Sequence, residues 1–384
     1  MANYSIANKF VPMGLTFEDV SLPENTLGNE QDEISMQTIL TPTLTLNRPI
    51  LSAAMDTVTE SPMAIALAKF GGLGVIHKNM LISDQAAEIR AVKDEKVDLT
   101  MNPNAAVDQK GRLIVAGAVG VTSNTLERVH ALVAAGADAI VLDSAHGHSE
   151  GVLRKVRAVR DAFPQINIIA GNIATKAGAS ALYDAGADVA KVGIGPGLIC
   201  TTRVVSGVGV PQISAIAAAA EAAKEYGKAI IADGGVKTST DMTKAILAGG
   251  HAIMLGSVLA GTLETPGEVF TDKNSGCRFK AYRGMGSISA MQNGSKDRYF
   301  QGEVNEANKM VPEGIEGQTM YKGTLLDVLQ PLLAVVAKNL INGGFHAISQ
   351  AAKNGRLIAM TDTQDYARVP QNVRIIQNNK EELV

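Results

Sequence analysis

From residue 49 onward, short apolar runs alternate with longer amphipathic stretches, and the alternation repeats eight times. The runs fall at 49–53, 73–76, 115–120, 139–142, 167–170, 189–192, 229–232 and 252–255. Each is too short for a buried helix and suits a strand covered on both faces. The stretches at 62–70, 83–93, 124–135, 149–163, 175–185, 211–226 and 238–248 read as helices. Ala-Gly-Ala-Asp recurs at 135–138 and 185–188, with Ala-Gly-Gly-His at 248–251, each closing a helix just before a strand. Asn124, with Glu127 three residues on, predicts a capping box. This rhythm predicts an α/β chain folded as a (β/α)8 TIM barrel. A doubly wound open sheet is the alternative.

Composition agrees. Hydrophobic residues make up 46% of the 384, yet only 4% are aromatic and tryptophan is absent. The core is then aliphatic, as in buried parallel strands. A net charge of −3 gives no basic surplus, so nucleic acid is not expected as a required partner. Two cysteines cannot build a disulfide framework, which favours a reducing compartment. The start, Met-Ala-Asn-Tyr-Ser-Ile, lacks a basic and then apolar signal pattern, and no uninterrupted apolar run is expected to span a bilayer. A cytoplasmic protein without a membrane partner is the expectation.

The whole chain, 1–384, reads as one catalytic domain. Residues 1–48 form an N-terminal arm with one short strand near Ile39. Residues 97–112 are a short polar connection. Residues 276–323 are a long polar insertion after the eighth strand, which reads as a mobile flap over the catalytic face. An apolar helix with Pro331 near its start follows at 325–341, and 361–384 is a polar tail.

In a barrel the chemistry collects at the C-terminal ends of the strands. The sixth run ends in Gly193-Ile194-Gly195-Pro196-Gly197-Leu198-Ile199-Cys200-Thr201-Thr202-Arg203. A thiol on a glycine-rich loop at a strand end is a candidate nucleophile; a buried cysteine on an ordinary turn is the bland alternative. Gly234, Gly235, Gly256 and Ser257 follow the seventh and eighth runs, where barrel enzymes cradle phosphate on backbone amides. Asp233 would repel phosphate but suits a ribose diol. Phosphate with ribose implies a nucleotide. His146 and His148 stand without a second ligand cluster and read as loop histidines, and Cys277 reads as incidental. The pairs Asp94/Glu95 and Glu381/Glu382 read as solvated charge.

The cysteine loop resembles that of the IMP dehydrogenase/GMP reductase family. So do Ser52-Ala-Ala-Met-Asp-Thr-Val-Thr-Glu, Asp143-Ser-Ala-His-Gly-His, Gly171-Asn-Ile-Ala-Thr, Asp233-Gly-Gly and Tyr282-Arg-Gly-Met-Gly-Ser. Within the insertion, Lys296-Asp-Arg-Tyr-Phe and Val311-Pro-Glu-Gly-Ile-Glu-Gly resemble the flap motifs of the IMP dehydrogenase branch; the GMP reductase branch lacks a hydrolytic flap. The resemblance implies that Cys200 attacks C2 of IMP, that hydride passes to NAD, and that a covalent thioimidate remains. The flap then replaces the dinucleotide, and Arg298, oriented by Tyr299, activates water to release XMP, the committed step of guanine nucleotide synthesis. Thr202 and Glu313 are implied as an alternative proton relay. By the same resemblance Ser52, Leu198, Asp233, Gly234, Gly235, Gly256, Ser257, Tyr282, Arg283, Gly284, Met285, Gly286 and Glu313 hold IMP. Asp143, Ser144, Asn172, Gly193, Ile194 and Gly195 line the NAD site. The resemblance further implies that carbonyls of Gly195, Gly197 and Cys200 bind a potassium ion and that the chain assembles as a homotetramer.

Three features depart from the family pattern. Residues 97–112 are too few for the pair of CBS modules that the family usually carries there. Leu198 stands where the family has a serine that contacts the IMP phosphate. The glutamate-led tail motif that completes the cation site is absent around Ala367-Arg-Val-Pro. A GMP reductase, or a purine-nucleotide-binding barrel that no longer catalyses, are the rival readings.

Overall fold

The computed structural model describes residues 14–23, 33–304 and 306–360. Eight parallel strands close into a barrel: β1 Ile50–Ser52, β2 Leu73–Ile76, β3 Val115–Val119, β4 Ala139–Asp143, β5 Asn167–Ile173, β6 Val189–Val192, β7 Ala229–Asp233 and β8 Ala252–Leu255. Closure is direct: Ile253, Met254 and Leu255 of β8 register with Ile50, Leu51 and Ser52 of β1. The open-sheet alternative is excluded. The helices α1 Ser61–Phe70, α2 Ile82–Asp94, α3 Thr125–Ala135, α4 Glu150–Ala162, α5 Lys176–Asp184, α6 Gln212–Tyr226, α7 Ser239–Leu247 and α8 Leu325–Asn342 follow the strands in turn.

Because strand side chains alternate, each strand feeds two cores. Leu51, Val75, Ala116, Ala118, Val141, Ile169 and Ile231 fill the bore. Ile50, Ile76, Val115, Val119, Ile140, Leu142 and Ile168 face the helices. Alanines on β3 leave room in the bore for larger neighbours, in keeping with packing at crystal density.

The described part of the arm carries three short strands where one was expected. Thr38–Thr41 and Leu44–Leu46 form a hairpin whose Leu40, Leu44 and Leu46 join the bore cluster. Thr41 Oγ1 donates to Asn167 Oδ1 at 2.6 Å, fixing the hairpin under the first residue of β5. Val20–Ser21 pairs with Ile358–Ala359, so the two flanks of the barrel meet.

The capping box expected at Asn124 does not form. Its side chain accepts from Thr122 Oγ1 at 2.6 Å and caps no helix amide. Boxes close instead at Thr238/Asp241 and Thr324/Asp327, with aspartate as the reciprocal acceptor. Helix α8 is, among the described helices, the one long and apolar enough by length and composition to cross a membrane, although Asp327, Gln330 and Lys338 interrupt its apolar run. Its Leu325, Leu329, Leu332, Leu333, Val336 and Leu340 are buried, and it packs against α7 and α1 as a barrel helix. Glu95, expected to be solvated, pairs with Lys69 at 2.5 Å. Residues 361–384, with the tail motif and Glu381/Glu382, lie outside the described residues.

The polar insertion is built around a small sheet. β9 Arg278–Arg283 pairs antiparallel with Phe270–Thr271 and with β10 Glu316–Met320, so the departure from the barrel begins at 270 rather than 276. Short helical turns from Ile288 to Tyr299 link the two halves and lie over the barrel mouth.

Candidate active site

The loop after β6 turns sharply because Gly193 has φ of +151°, and a Cβ there would fall 1.9 Å from the Asp233 carbonyl oxygen. Only glycine allows this backbone and this approach. The loop then carries Cys200 to the rim, half-buried as a free thiol. Its Sγ lies 3.2 Å from Thr202 Oγ1, and Thr202 Oγ1 lies 2.7 Å from Glu313 Oε2. With the thiol as first donor, both bonds run one way, from sulfur through the hydroxyl to the carboxylate.

Glu313 is brought here by the insertion. Its carbonyl accepts from Thr201 at 3.0 Å, and its amide donates to the Gly286 carbonyl at 3.0 Å. Ile315 donates to the Ile199 carbonyl at 3.2 Å, and Gly284 to the Ile315 carbonyl at 2.8 Å. The segment Glu313–Gly314–Ile315 is therefore stitched between the cysteine loop and residues 284–286. Gly286 is the tight point, since a Cβ would sit 2.8 Å from Tyr299 Cζ and 2.9 Å from the Glu313 carbonyl carbon.

A buried charge cluster spans the four adjacent strands β4 to β7 beside the cysteine loop. Lys191 Nζ donates to Asp143 at 3.0 Å, to Asp233 at 2.8 Å and to the Asn172 side-chain oxygen. Asn172 Nδ2 donates to Asp233 and to the Gly193 carbonyl, both at 2.9 Å. Asp143 also pairs with Arg298 of the insertion, whose backbone carbonyl accepts from Ala145 at 3.0 Å. Arg298 stacks near Tyr299, 5.9 Å from its ring centre. Burial pushes the Tyr299 and Tyr282 hydroxyls up, so both stay protonated donors at neutral pH.

One cavity gathers most of the expected residues. Cys200, Thr202, Arg298, Tyr299 and Glu313 line it together with Asp143, Asn172, Gly193, Ile194, Gly195, Gly197, Leu198, Asp233, Gly234, Gly235, Gly256, Ser257, Tyr282, Gly284 and Met285. Four expected residues stand apart. Ser52 is fully buried and its hydroxyl has no partner, while Ala53 and Met55 line the cavity. The Arg283 guanidinium turns to Asp56, at 2.6 Å, and to Ser289 at 2.9 Å. Ser144 is buried, its hydroxyl accepting from the His146 amide. Gly286 supports the wall from behind. His146 and His148 are exposed, and no cluster of metal-ligating side chains occurs among the described residues.

Lys191 was missed by sequence reasoning. Its signal was a lysine inside a four-residue buried run, Val-Ala-Lys-Val, where an unpaired charge would be costly.

A family model described as "IMP dehydrogenase / GMP reductase domain" matches residues 14–366. Proteins named inosine-5'-monophosphate dehydrogenase from Streptococcus pyogenes and Bacillus subtilis are 44% and 40% identical to the chain. The alignments cover 98% and 97% of this chain and 98% of each relative. One from Halalkalibacterium halodurans is 40% identical over 96% of this chain and 98% of its own. The Streptococcus alignment runs over 487 positions against 384 residues here, so about a hundred positions of that relative face a gap.

Proposed function

The chain belongs to the IMP dehydrogenase / GMP reductase family, and from that premise we propose that it oxidises IMP to XMP in two steps within one cavity. In the first, the Cys200 sulfur bonds to C2 of the purine and two electrons leave C2 as hydride. NAD supplies the acceptor for that hydride. In the second, water adds to the thioimidate carbon, the C–S bond breaks, and XMP leaves with the thiol restored.

The observation that carries this reading is the continuous contact from Cys200 through Thr202 to Glu313, beside Arg298 and Tyr299. A nucleotide-binding barrel without catalysis has no use for such a chain. In this arrangement Arg298 is the counter-charge of Asp143, so the proton path drawn by the geometry ends on Glu313. Gly234, Gly235, Gly256 and Ser257 suit the phosphate and Asp233 the ribose. Lys191 holds Asp233 and Asp143 in place.

The dinucleotide would meet Asp143, Asn172 and Gly193 to Gly195. Arg298 lies on Asp143 here, which supports a flap and a dinucleotide that share one place in turn. The same reading places potassium on carbonyls of Gly195, Gly197 and Cys200. The Gly197 carbonyl accepts from the Cys200 amide at 3.2 Å and keeps a second lone pair for a cation. It also takes 97–112 as the place where longer relatives carry the CBS pair, and the chain as a subunit of a homotetramer.

The test is a mass spectrum of the protein turning over IMP and NAD. A nucleotide-mass adduct on Cys200, absent from Cys200→Ala, supports the reading. Turnover of GMP with NADPH in place of IMP with NAD refutes it in favour of the sister activity.

A further inference from the structure

Just before Arg298 the insertion is gripped by residues that do not line the cavity. Lys78, which follows β2, forms an ion pair with Asp297, and only 8% and 10% of the two side chains are exposed. The same ammonium donates to the Gly294 carbonyl at 3.2 Å. Burial pushes the Lys78 ammonium down, opposed by the Asp297 charge beside it. The second Asp297 oxygen, Oδ2, is buried without a hydrogen-bond partner. It points at Gly120, at the end of β3, where a Cβ would come within 1.9 Å of it. Arg128 stands near enough to Asp297 to be influenced by its charge. Neither Lys78, Gly120 nor Asp297 lines the nucleotide cavity.

We infer that Lys78 and Gly120 form the barrel half of a latch for Asp297, a positioning device that holds Arg298 over Asp143 while the covalent intermediate is hydrolysed. The inference rests on the two-step reading above. Lys78 supplies the charge and Gly120 the notch. An exposed pair of this kind would hold little, whereas a desolvated one fails badly when either member is removed. Hydride transfer needs the flap out and hydrolysis needs it in, so a weaker latch slows the second step alone and frees the dinucleotide site.

The test follows NADH formation and the mass of Cys200 during turnover by the full chain with IMP and NAD. Lys78→Met and Gly120→Ala each keep the rate of first NADH formation within about threefold and lower steady-state turnover about tenfold. The Cys200 adduct becomes the main species, and the apparent KM for NAD falls. Gly120→Ala added to Asp297→Ala causes no further loss, because the clash needs the carboxylate. Unchanged steady-state turnover in both single variants overturns the latch. So does an equal fall in both phases, which marks a purely structural role. An unaltered chain that turns over without any adduct on Cys200 removes the two-step reading itself, and the latch with it.

Discussion

Replacing Thr202 by valine keeps the shape of the side chain and removes the hydroxyl that links Cys200 to Glu313. Two contacts go at once, the 3.2 Å approach of the sulfur and the 2.7 Å bond to the carboxylate. A hydrogen bond to a charged group is worth about 1.5–3 kcal/mol. At about 1.4 kcal/mol per tenfold, that becomes a loss of about 10- to 150-fold in whichever step uses the relay. Thr202 begins a short helical turn, Thr202–Val205, with no buried side chain, so the substitution leaves the barrel core alone. Single-turnover measurement of NADH and of XMP, over a range of pH, reads the two steps separately. The deficit narrows as pH rises, since bulk base then takes the proton unaided. A Thr202→Val variant within about threefold of the parent at every pH would refute the relay.

Leu198 is 55% exposed at the cavity mouth; Leu198→Ser supplies a donor for the IMP phosphate and lowers the KM for IMP about tenfold or more, since such a bond is worth about 1.5–3 kcal/mol, and equal KM values dismiss the idea. Gly286→Ala forces Tyr299 and Glu313 apart and slows XMP release more than NADH formation, read in the same transient experiment. Asp108 is pulled up by burial, but donors from the Arg112 amide, Lys93 and the Lys110 amide outweigh this and hold it at about 2. A depressed folded value means that its stabilisation is fully present above the unfolded value, about 4, and is lost as pH falls towards 2. Melting temperatures of Asp108→Asn and the parent therefore differ at neutral pH and converge in acid.

The strands were legible because each is an aliphatic run buried on both faces, and the helix boundaries moved by only a residue or two. The cavity was legible because strand ends carried Cys200, Asp233 and the glycine pairs together. What escaped notice has physical causes. Successive strand residues face opposite ways, so Tyr282 lines the cavity while Arg283 is carried round to Asp56. The same alternation separates Ser52 from Ala53. The insertion sheet was read as a loop because Arg278–Arg283 and Glu316–Met320 are mostly polar and, the buried Lys280 apart, at most half-buried, with no apolar rhythm to betray them. Lys191 hid within an apolar run, its partners distant in sequence. Asp297 could not be read as a flap anchor without Gly120, which lies far away in the chain and meets it only across the rim.

The leucine-bearing hairpin beneath β5 stoppers the bore from below. In the reaction proposed here, every molecule that arrives or departs must then use the same doorway at the rim. Traffic becomes single file: reduced dinucleotide has to back out before the arginine can swing in, and XMP waits behind both. A compound that lodges in that vestibule after the first half-reaction would strand the chain with its sulfur still bonded to the purine.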